Sequence, residues 1–203
     1  MAHRDWNDSY ASKDLPWDTG TPEPVLVAFV QAGSVAPGRT LEIGAGTGTN
    51  ARWLAAQGFD VLGVGVAPRA VELARANGEV ARCRFEVNNF LVEPPAGKFA
   101  FVFDRGCFHV FDEADERVRF AANVARVLAP GGVWLSLVGS TEGPPRDFGP
   151  PRRSAREVIA AVEPVLAIHE LAATSFDGER FHAAAWRCVA RQRDVPAQPS
   201  TRH

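Results

Sequence analysis

Two hydrophobic periods alternate along the chain. A period of 3.6 residues marks amphipathic helices, and short continuous apolar runs mark strands covered on both faces. Residues 22–31 (PEPVLVAFVQ) read as a helix with proline in its opening turn, where a missing N–H costs nothing. Residues 40–43 are a short strand running into a glycine cluster, and residues 50–57 are a helix stopped by Gly58. Residues 60–66 read as a strand, 68–76 as a helix and 82–87 as an alternating strand. The run FAFVF at 99–103 has the pattern of a central strand. Residues 112–128 predict a helix with Val118, Ala121, Ala122, Ala125 and Leu128 on its apolar face, broken by Pro130-Gly131-Gly132. A strand follows at 133–138. Ser154 and Glu157 then form a capping box ahead of a helix to residue 162. Residues 165–173 and 181–190 read as two strands, an antiparallel pair at one edge.

The order is a helix, then β-α-β-α-β-β-α-β-α-β-β. It predicts an α/β fold: a single Rossmann-like doubly wound sheet, mostly parallel with an antiparallel edge strand, and helices on both faces. In such sheets ligands bind beyond the carboxyl ends of the strands. Residues 37–191 are the expected ligand-binding domain. Residues 1–36 are a helical leader, and 192–203 a polar, flexible tail. The leader carries Trp6, Tyr10 and Trp17 among polar residues, which suits either plain packing beneath a loop or a lid packed on the core.

Composition narrows the function. The 203 residues carry a formal net charge of -2, which argues against nucleic acid and anionic membranes as partners and leaves small molecules open. No apolar run approaches the roughly 20 residues of a membrane span, and the polar N-terminus has no signal-like apolar core. Cys83, Cys107 and Cys188 are far apart and the five histidines form no HExxH-like pair, so no metal site is expected; the thiols suit a reduced, cytoplasmic protein. Arginines at 146, 152, 153 and 156 form one basic stretch, read as a solvated face or as a patch for an anionic small substrate. A monomer or a homodimer is compatible with the sequence.

The strongest local signal is Leu41-Glu42-Ile43-Gly44-Ala45-Gly46-Thr47-Gly48-Thr49-Asn50, where a strand opens into a helix. Glycines allow a tight turn and close approach of a ligand to the backbone, and a helix start presents free N–H groups. Thr49 stands where a dinucleotide fingerprint needs glycine, and no GxxxxGK[ST] exists. A nicotinamide oxidoreductase is therefore disfavoured, as it is by the absence of an acid at residue 65.

With Glu42, the turn reads E-x-G-x-G-x-G and resembles the nucleotide motif of class I S-adenosylmethionine-dependent methyltransferases. The resemblance extends along the chain. Pro16-Trp17-Asp18 with Gly20 and Pro22 is similar to the leader of thiopurine S-methyltransferase-like and tellurite-resistance-like enzymes. Asp104-Arg105-Gly106 with His109 resembles their D-R-G-x-x-H stretch. Leu128 with Pro130-Gly131-Gly132, the Gly149-Pro150 loop with Arg152, Arg153 and Ser154, and Ala185-Trp186 also fit.

The resemblance implies methyl transfer from S-adenosylmethionine, leaving S-adenosylhomocysteine, to a small molecule. A thiol or similar soft nucleophile is favoured over oxygen or nitrogen. It implies cofactor contacts at Trp17, Glu42, Gly44, Ala45, Gly46, Gly48 and Asn50, then at Gly65, Val66, Asn89, Phe90 and Asp104. Asp104, Arg105 and His109 are its catalytic candidates: Asp104 to orient the sulfonium side or a substrate proton, Arg105 to hold an anionic group or pair with Asp104, His109 as base or donor. Cys107 is not needed as a nucleophile.

Three positions depart from that pattern. Gly65 stands where relatives carry an acid that accepts from both ribose hydroxyls; losing two charge-assisted bonds of roughly 1.5–3 kcal/mol each weakens binding by about one to three decades. The chain reads Asn88-Asn89-Phe90 in place of a G-D-F-like pattern, with Asn89 as a blunted acceptor for adenine and Phe90 packing near it. Ala100 replaces an acid in the fourth strand. Gly65 leaves room for water or Arg69 at the ribose. It also motivates the alternative of a methyltransferase-fold binding module with weakened turnover.

Overall fold

A computed structural model describes residues 5–12, 15–145, 149–178 and 181–193, so residues 194–203 of the expected tail, Arg146, and parts of the leader lie outside the description. Two short helices, α1 (Trp6–Ser12) and α2 (Pro24–Gln31), come first. They precede β1 (Arg39–Ile43), α3 (Thr49–Ala56), β2 (Asp60–Gly65), α4 (Pro68–Ala76), β3 (Cys83–Val87) and β4 (Phe99–Arg105). A single 3-10 turn (Phe108–Val110) leads to α5 (Ala114–Val127), β5 (Leu128–Gly139), α6 (Ala155–Val162), β6 (Ala167–Gly178) and β7 (Phe181–Arg191).

The strands form one seven-stranded sheet in the order β3-β2-β1-β4-β5-β7-β6. The first five pair in parallel. The antiparallel pair lies at the β5 side, with β7 between β5 and the outermost β6 and antiparallel to both. The chain leaves β1 in one direction for β2 and β3 and crosses back to β4 on its other side. A crevice therefore opens beyond the carboxyl ends of β1 and β4.

Alternation along β4 feeds two cores. Phe101 and Phe103 pack with Leu26, Leu54 and Phe59 on the α2–α3 side, while Val102 joins Phe120, Trp134 and Val162 on the α5–α6 side. A fully buried phenylalanine of this kind contributes roughly 2–3 kcal/mol by area. Leu26 places α2, part of the leader, inside the first core.

Local signals fix several termini. The Ser154 hydroxyl accepts from the Glu157 N–H at 3.3 Å, and the Glu157 carboxylate accepts from the Ser154 N–H at 2.8 Å, which completes the capping box. The apolar face of α5 differs from the expected one. Phe120, Ala121, Val124 and Val127 are buried, Val118 is exposed, Ala122 and Ala125 are only partly covered, and Leu128 has already entered β5. The stripe at i, i+4, i+7 that carries the large Phe120 ring wins over the one carrying valine and two alanines. Arg117 is buried beside it because its guanidinium donates to the Phe111 and Asp112 carbonyls at 2.7 and 2.6 Å. The polar leader also forms helix α1, set against α4.

Candidate active site

The glycine turn is shaped by its backbone. Gly44, Gly46 and Gly48 all have positive φ (72°, 56° and 86°). Gly48 caps α3, and a Cβ there would lie 2.4 Å from the Phe85 ring; one on Gly46 would lie 3.0 Å from the Tyr10 hydroxyl. The Gly44 and Ala45 N–H groups donate to Val64 O at 2.8 and 3.0 Å, which pins the turn onto β2.

Beyond the strand ends lies a cavity of about 980 Å³. Gly44, Gly46, Gly65, Val66, Asn88, Asn89 and Phe90 line the part over β1, β2 and β3. Arg105, Cys107, His109, Phe111, Pro150, Pro151 and Phe176 line the part beyond β4. Trp6, Tyr10 and Trp17 from the leader form a third side, with Tyr10 and Trp6 both edge-on to Trp17. Glu116 and Arg119 reach the wall from α5.

Most expected site residues fall on this wall: Trp17, Gly44, Gly46, Gly65, Val66, Asn89, Phe90, Arg105 and His109. Glu42, Ala45, Gly48, Asn50 and Asp104 do not; they stand behind it. Glu42 is 2% exposed, with one carboxylate oxygen accepting from Asn50 Nδ2 at 3.2 Å and the other, Oε2, without a partner among the described residues. Burial pushes its pKa up to about 8. Asn50 joins Glu42 to the leader, since its Oδ1 accepts from the Glu23 N–H at 2.8 Å.

Two of the catalytic expectations change. Asp104 is fully buried and accepts from the N–H groups of Cys107 and Phe108 and from Trp134 Nε1, at 3.1, 3.0 and 3.0 Å. It fastens the turn after β4 and stands behind the cavity wall rather than on it; burial pushes its pKa up to about 6. Arg105 does not pair with Asp104. Its Nε meets the Glu23 carboxylate at 2.5 Å, its Nη1 donates to Trp17 O at 3.1 Å, and its guanidinium lies over the Phe176 ring. Glu23, 4% exposed, was not legible as its partner because the two are 82 residues apart.

His109 is buried, and its Nδ1 accepts the Gly139 N–H at 2.7 Å. A ring nitrogen that accepts carries no proton, so the neutral ring holds its proton on Nε2. Cys107 faces the cavity, but burial first and Asp104 second raise its thiol pKa well above the ordinary value. The basic stretch is neither a solvated face nor a substrate patch at its centre. Arg152 donates to Ser140 O at 3.0 Å, and Arg153 donates to Phe111 O at 2.9 Å and to Asp112 at 2.8 Å. Arg69 pairs with Glu72 at 2.9 Å, away from Gly65. Among the described residues no cluster of His, Cys, Asp and Glu is placed to hold a metal, and no helix is long and apolar enough to cross a membrane.

A doubly wound sheet with a glycine turn at its switch point and one long cavity over the strand ends is the architecture of S-adenosylmethionine-dependent methyltransferases. A solved structure described under "Conversion of a Disulfide Bond into a Thioacetal Group during Echinomycin Biosynthesis" is similar at a TM-score of 0.76 and 28% identity, covering 87% of this chain and 84% of the other. The 1,6-didemethyltoxoflavin-N1-methyltransferase of Burkholderia thailandensis shares the fold, with a TM-score of 0.73 at 21% identity over 94% of this chain and 86% of that one.

The chain belongs to the thiopurine S-methyltransferase family, whose sequence profile matches residues 1–195. Among curated relatives, a probable thiol methyltransferase of Arabidopsis thaliana is 31% identical over 150 residues, 72% of this chain and 65% of the relative. Thiocyanate methyltransferase 1 of Brassica oleracea is 27% identical over 165 residues, 79% and 70% of the two chains. The chain thus spans slightly less than two thirds of the Arabidopsis relative's length.

The cavity fits a nucleoside cofactor of the S-adenosylmethionine type. The glycine turn presents bare backbone to it, and Phe90 offers an aromatic ring.

Proposed function

We propose that this protein transfers the methyl group of S-adenosylmethionine to a small soft nucleophile, a thiol above all, in the cytoplasm. The observation that carries the reading is one cavity running from the glycine turn to Arg105 and His109. When bound, the cofactor supplies a methyl group already activated on a sulfonium sulfur. What the chain must add is alignment of the acceptor and exclusion of water.

Gly44 and Gly46 take the cofactor against bare backbone, while the leader's Trp17 and Tyr10 cover it. Phe111, Pro150, Pro151 and Phe176 give the acceptor part of the cavity an apolar lining that keeps water out. Gly139 occupies Nδ1 of His109, so that atom does not serve as a base. Arg105 stands on the wall paired with Glu23. Thiols supply an anionic nucleophile near neutral pH far more readily than alcohols do, so a thiol acceptor needs no strong base in the site. Cys107, its thiol held neutral by burial, does not compete for the methyl group. The thiol methyltransferase named among the relatives supports the same acceptor class.

The test is formation of S-adenosylhomocysteine with a panel of thiols of graded acidity, set against phenols and amines. Turnover is expected on thiols, with the rate following the thiolate fraction. Binding of S-adenosylhomocysteine without turnover on any thiol would favour a binding module, the reading that Gly65 motivates.

A further inference from the structure

Two buried guanidiniums converge on one backbone carbonyl at the acceptor end of the cavity. Phe111, which lines that end, follows the 3-10 turn in extended conformation. Its carbonyl oxygen accepts from Arg117 Nη1 at 2.7 Å and from Arg153 Nη2 at 2.9 Å. Arg117 and Arg153 are both buried. Asp112, 2.8 Å from Arg153, and Glu157, 3.4 Å from Arg117, balance the two charges. Desolvating a guanidinium offsets much of what its bonds return, so buried pairs of this kind add little net stability. They do fix where Phe111 stands.

Arg153 also ties Phe111 to the rest of the acceptor wall. Its backbone N–H donates to Gly139 O at 2.7 Å, and the Gly139 N–H holds His109 Nδ1. Its carbonyl accepts from the Thr141 N–H at 3.2 Å and from Trp186 Nε1 at 3.0 Å. These bonds seat Pro150 and Pro151, both on the cavity wall, against the end of β5, so closely that a Cβ on Gly139 would collide with Pro151 O. Arg153 itself is not on the wall. Among the described residues it bonds to nothing in the glycine turn, β2 or the loop after β3.

We propose that Arg153 is a positioning residue for the acceptor: it holds Phe111 and the Pro150-Pro151 segment in fixed relation, and so sets the shape of the apolar lining that orients a bulky thiol. This rests on the methyl-transfer reading above. A thiol too small to reach that lining does not need it.

The experiment follows S-adenosylhomocysteine formation by wild type, Arg153→Met and Arg153→Lys, with benzenethiol and with hydrosulfide as acceptors, and binding of S-adenosylhomocysteine to each protein by calorimetry. Arg153→Met should raise KM for benzenethiol about tenfold and leave kcat within about threefold, because ground and transition states share the lining. Its kcat/KM on hydrosulfide and its Kd for S-adenosylhomocysteine should stay within about threefold of wild type. Arg153→Lys keeps the charge without the planar fork, so its KM for benzenethiol should rise only about threefold. An unchanged KM for benzenethiol in Arg153→Met overturns the proposal. So do equal losses on both thiols or a matching loss of S-adenosylhomocysteine binding, since a loosened fold would give either. If Arg153→Met does not fold, the same split in Arg153→Lys decides. If wild type methylates benzenethiol alone, the contrast with S-adenosylhomocysteine binding decides; if it methylates hydrosulfide alone, only the role of Arg153 is lost. A wild type that binds S-adenosylhomocysteine yet methylates neither thiol overturns the methyl-transfer reading and, with it, the role of Arg153.

Discussion

Replacing Glu42 with glutamine should stabilise the unliganded protein, and by an amount that grows with pH. Glu42 is buried, with Asn50 and the Ala51 backbone N–H beside its carboxylate and, among the described residues, no geometric hydrogen-bond partner for Oε2. Burial raises its pKa from 4.5 to about 8. Between those values the folded state keeps a proton that the unfolded chain has lost, so stability is fully present below the unfolded pKa and drains away as pH rises through the folded one. The shift corresponds to a loss of about 3 kcal/mol at pH 7 and about 5 kcal/mol by pH 9, against under about 1 kcal/mol at pH 5. Glutamine has the same shape and never ionises. Its amide leaves donors unpaired where Oε2 was, but that cost does not change with pH. The assay is urea unfolding of both proteins from pH 5 to pH 9. The stability gap between Glu42→Gln and wild type should widen by about 1.4 kcal/mol per pH unit up to pH 7.5 and level off above pH 9. Parallel curves would refute the argument, since they would mean that Glu42 is solvated or ionised in the fold.

Gly48→Ala should cost about 2–5 kcal/mol in the same unfolding assay, from a left-handed backbone and a Cβ 2.4 Å from the Phe85 ring; a loss under about 1 kcal/mol would mean that the turn relaxes freely. Arg105→Met leaves the buried Glu23 carboxylate unpaired and should destabilise by roughly 3–5 kcal/mol, with much of the loss recovered on adding Glu23→Gln. Strictly additive losses in that cycle would show that the pair is not coupled. Gly65→Asp, with open space around the new side chain, should tighten S-adenosylhomocysteine about tenfold by calorimetry; unchanged or weaker binding would count against an acid-sized gap at the ribose.

Legibility in the sequence followed the range of the interactions. The glycine turn, the capping box at Ser154 and the boundaries of α4 were readable because neighbouring residues determine them. The mostly parallel, doubly wound sheet was readable because strands alternating with helices admit few arrangements. The face of α5 was misread because Val118, Ala122 and Ala125 satisfy the helical period as well as Phe120, Val124 and Val127 do; only packing against Trp134 and Phe90 decides between them. At the site, the motif D-R-G-x-x-H marked a stretch that lines the cavity but not where each of its side chains turns. Asp104 turns inward to Trp134, Arg105 turns toward the leader, and His109 is fixed by Gly139, all through partners at least 30 residues away.

The leader belongs to the site as a matter of bonding, which explains why its Pro16-Trp17-Asp18 motif accompanies the glycine turn. Asn7 Oδ1 accepts the Arg69 N–H at 2.9 Å, capping α4, where Ala67 has no side chain to do so. Asp18 accepts from the Thr47 hydroxyl at 2.6 Å, inside the glycine turn itself. Trp17 O and the Glu23 carboxylate share the Arg105 guanidinium, and the Glu23 N–H reaches Asn50, whose other end holds Glu42. Each bond joins the leader to an element that forms or backs the cavity wall, and the last runs through one amide to the buried carboxylate. Displacing the leader would take Tyr10 and Trp17 off the cavity, strip Arg105 of both hydrogen-bond partners and leave Asn50 free to turn away from Glu42. The placing of Trp17, Asp18 and Glu23 and the electrostatics behind the glycine turn are therefore coupled. Ligand that stabilises one must stabilise the other.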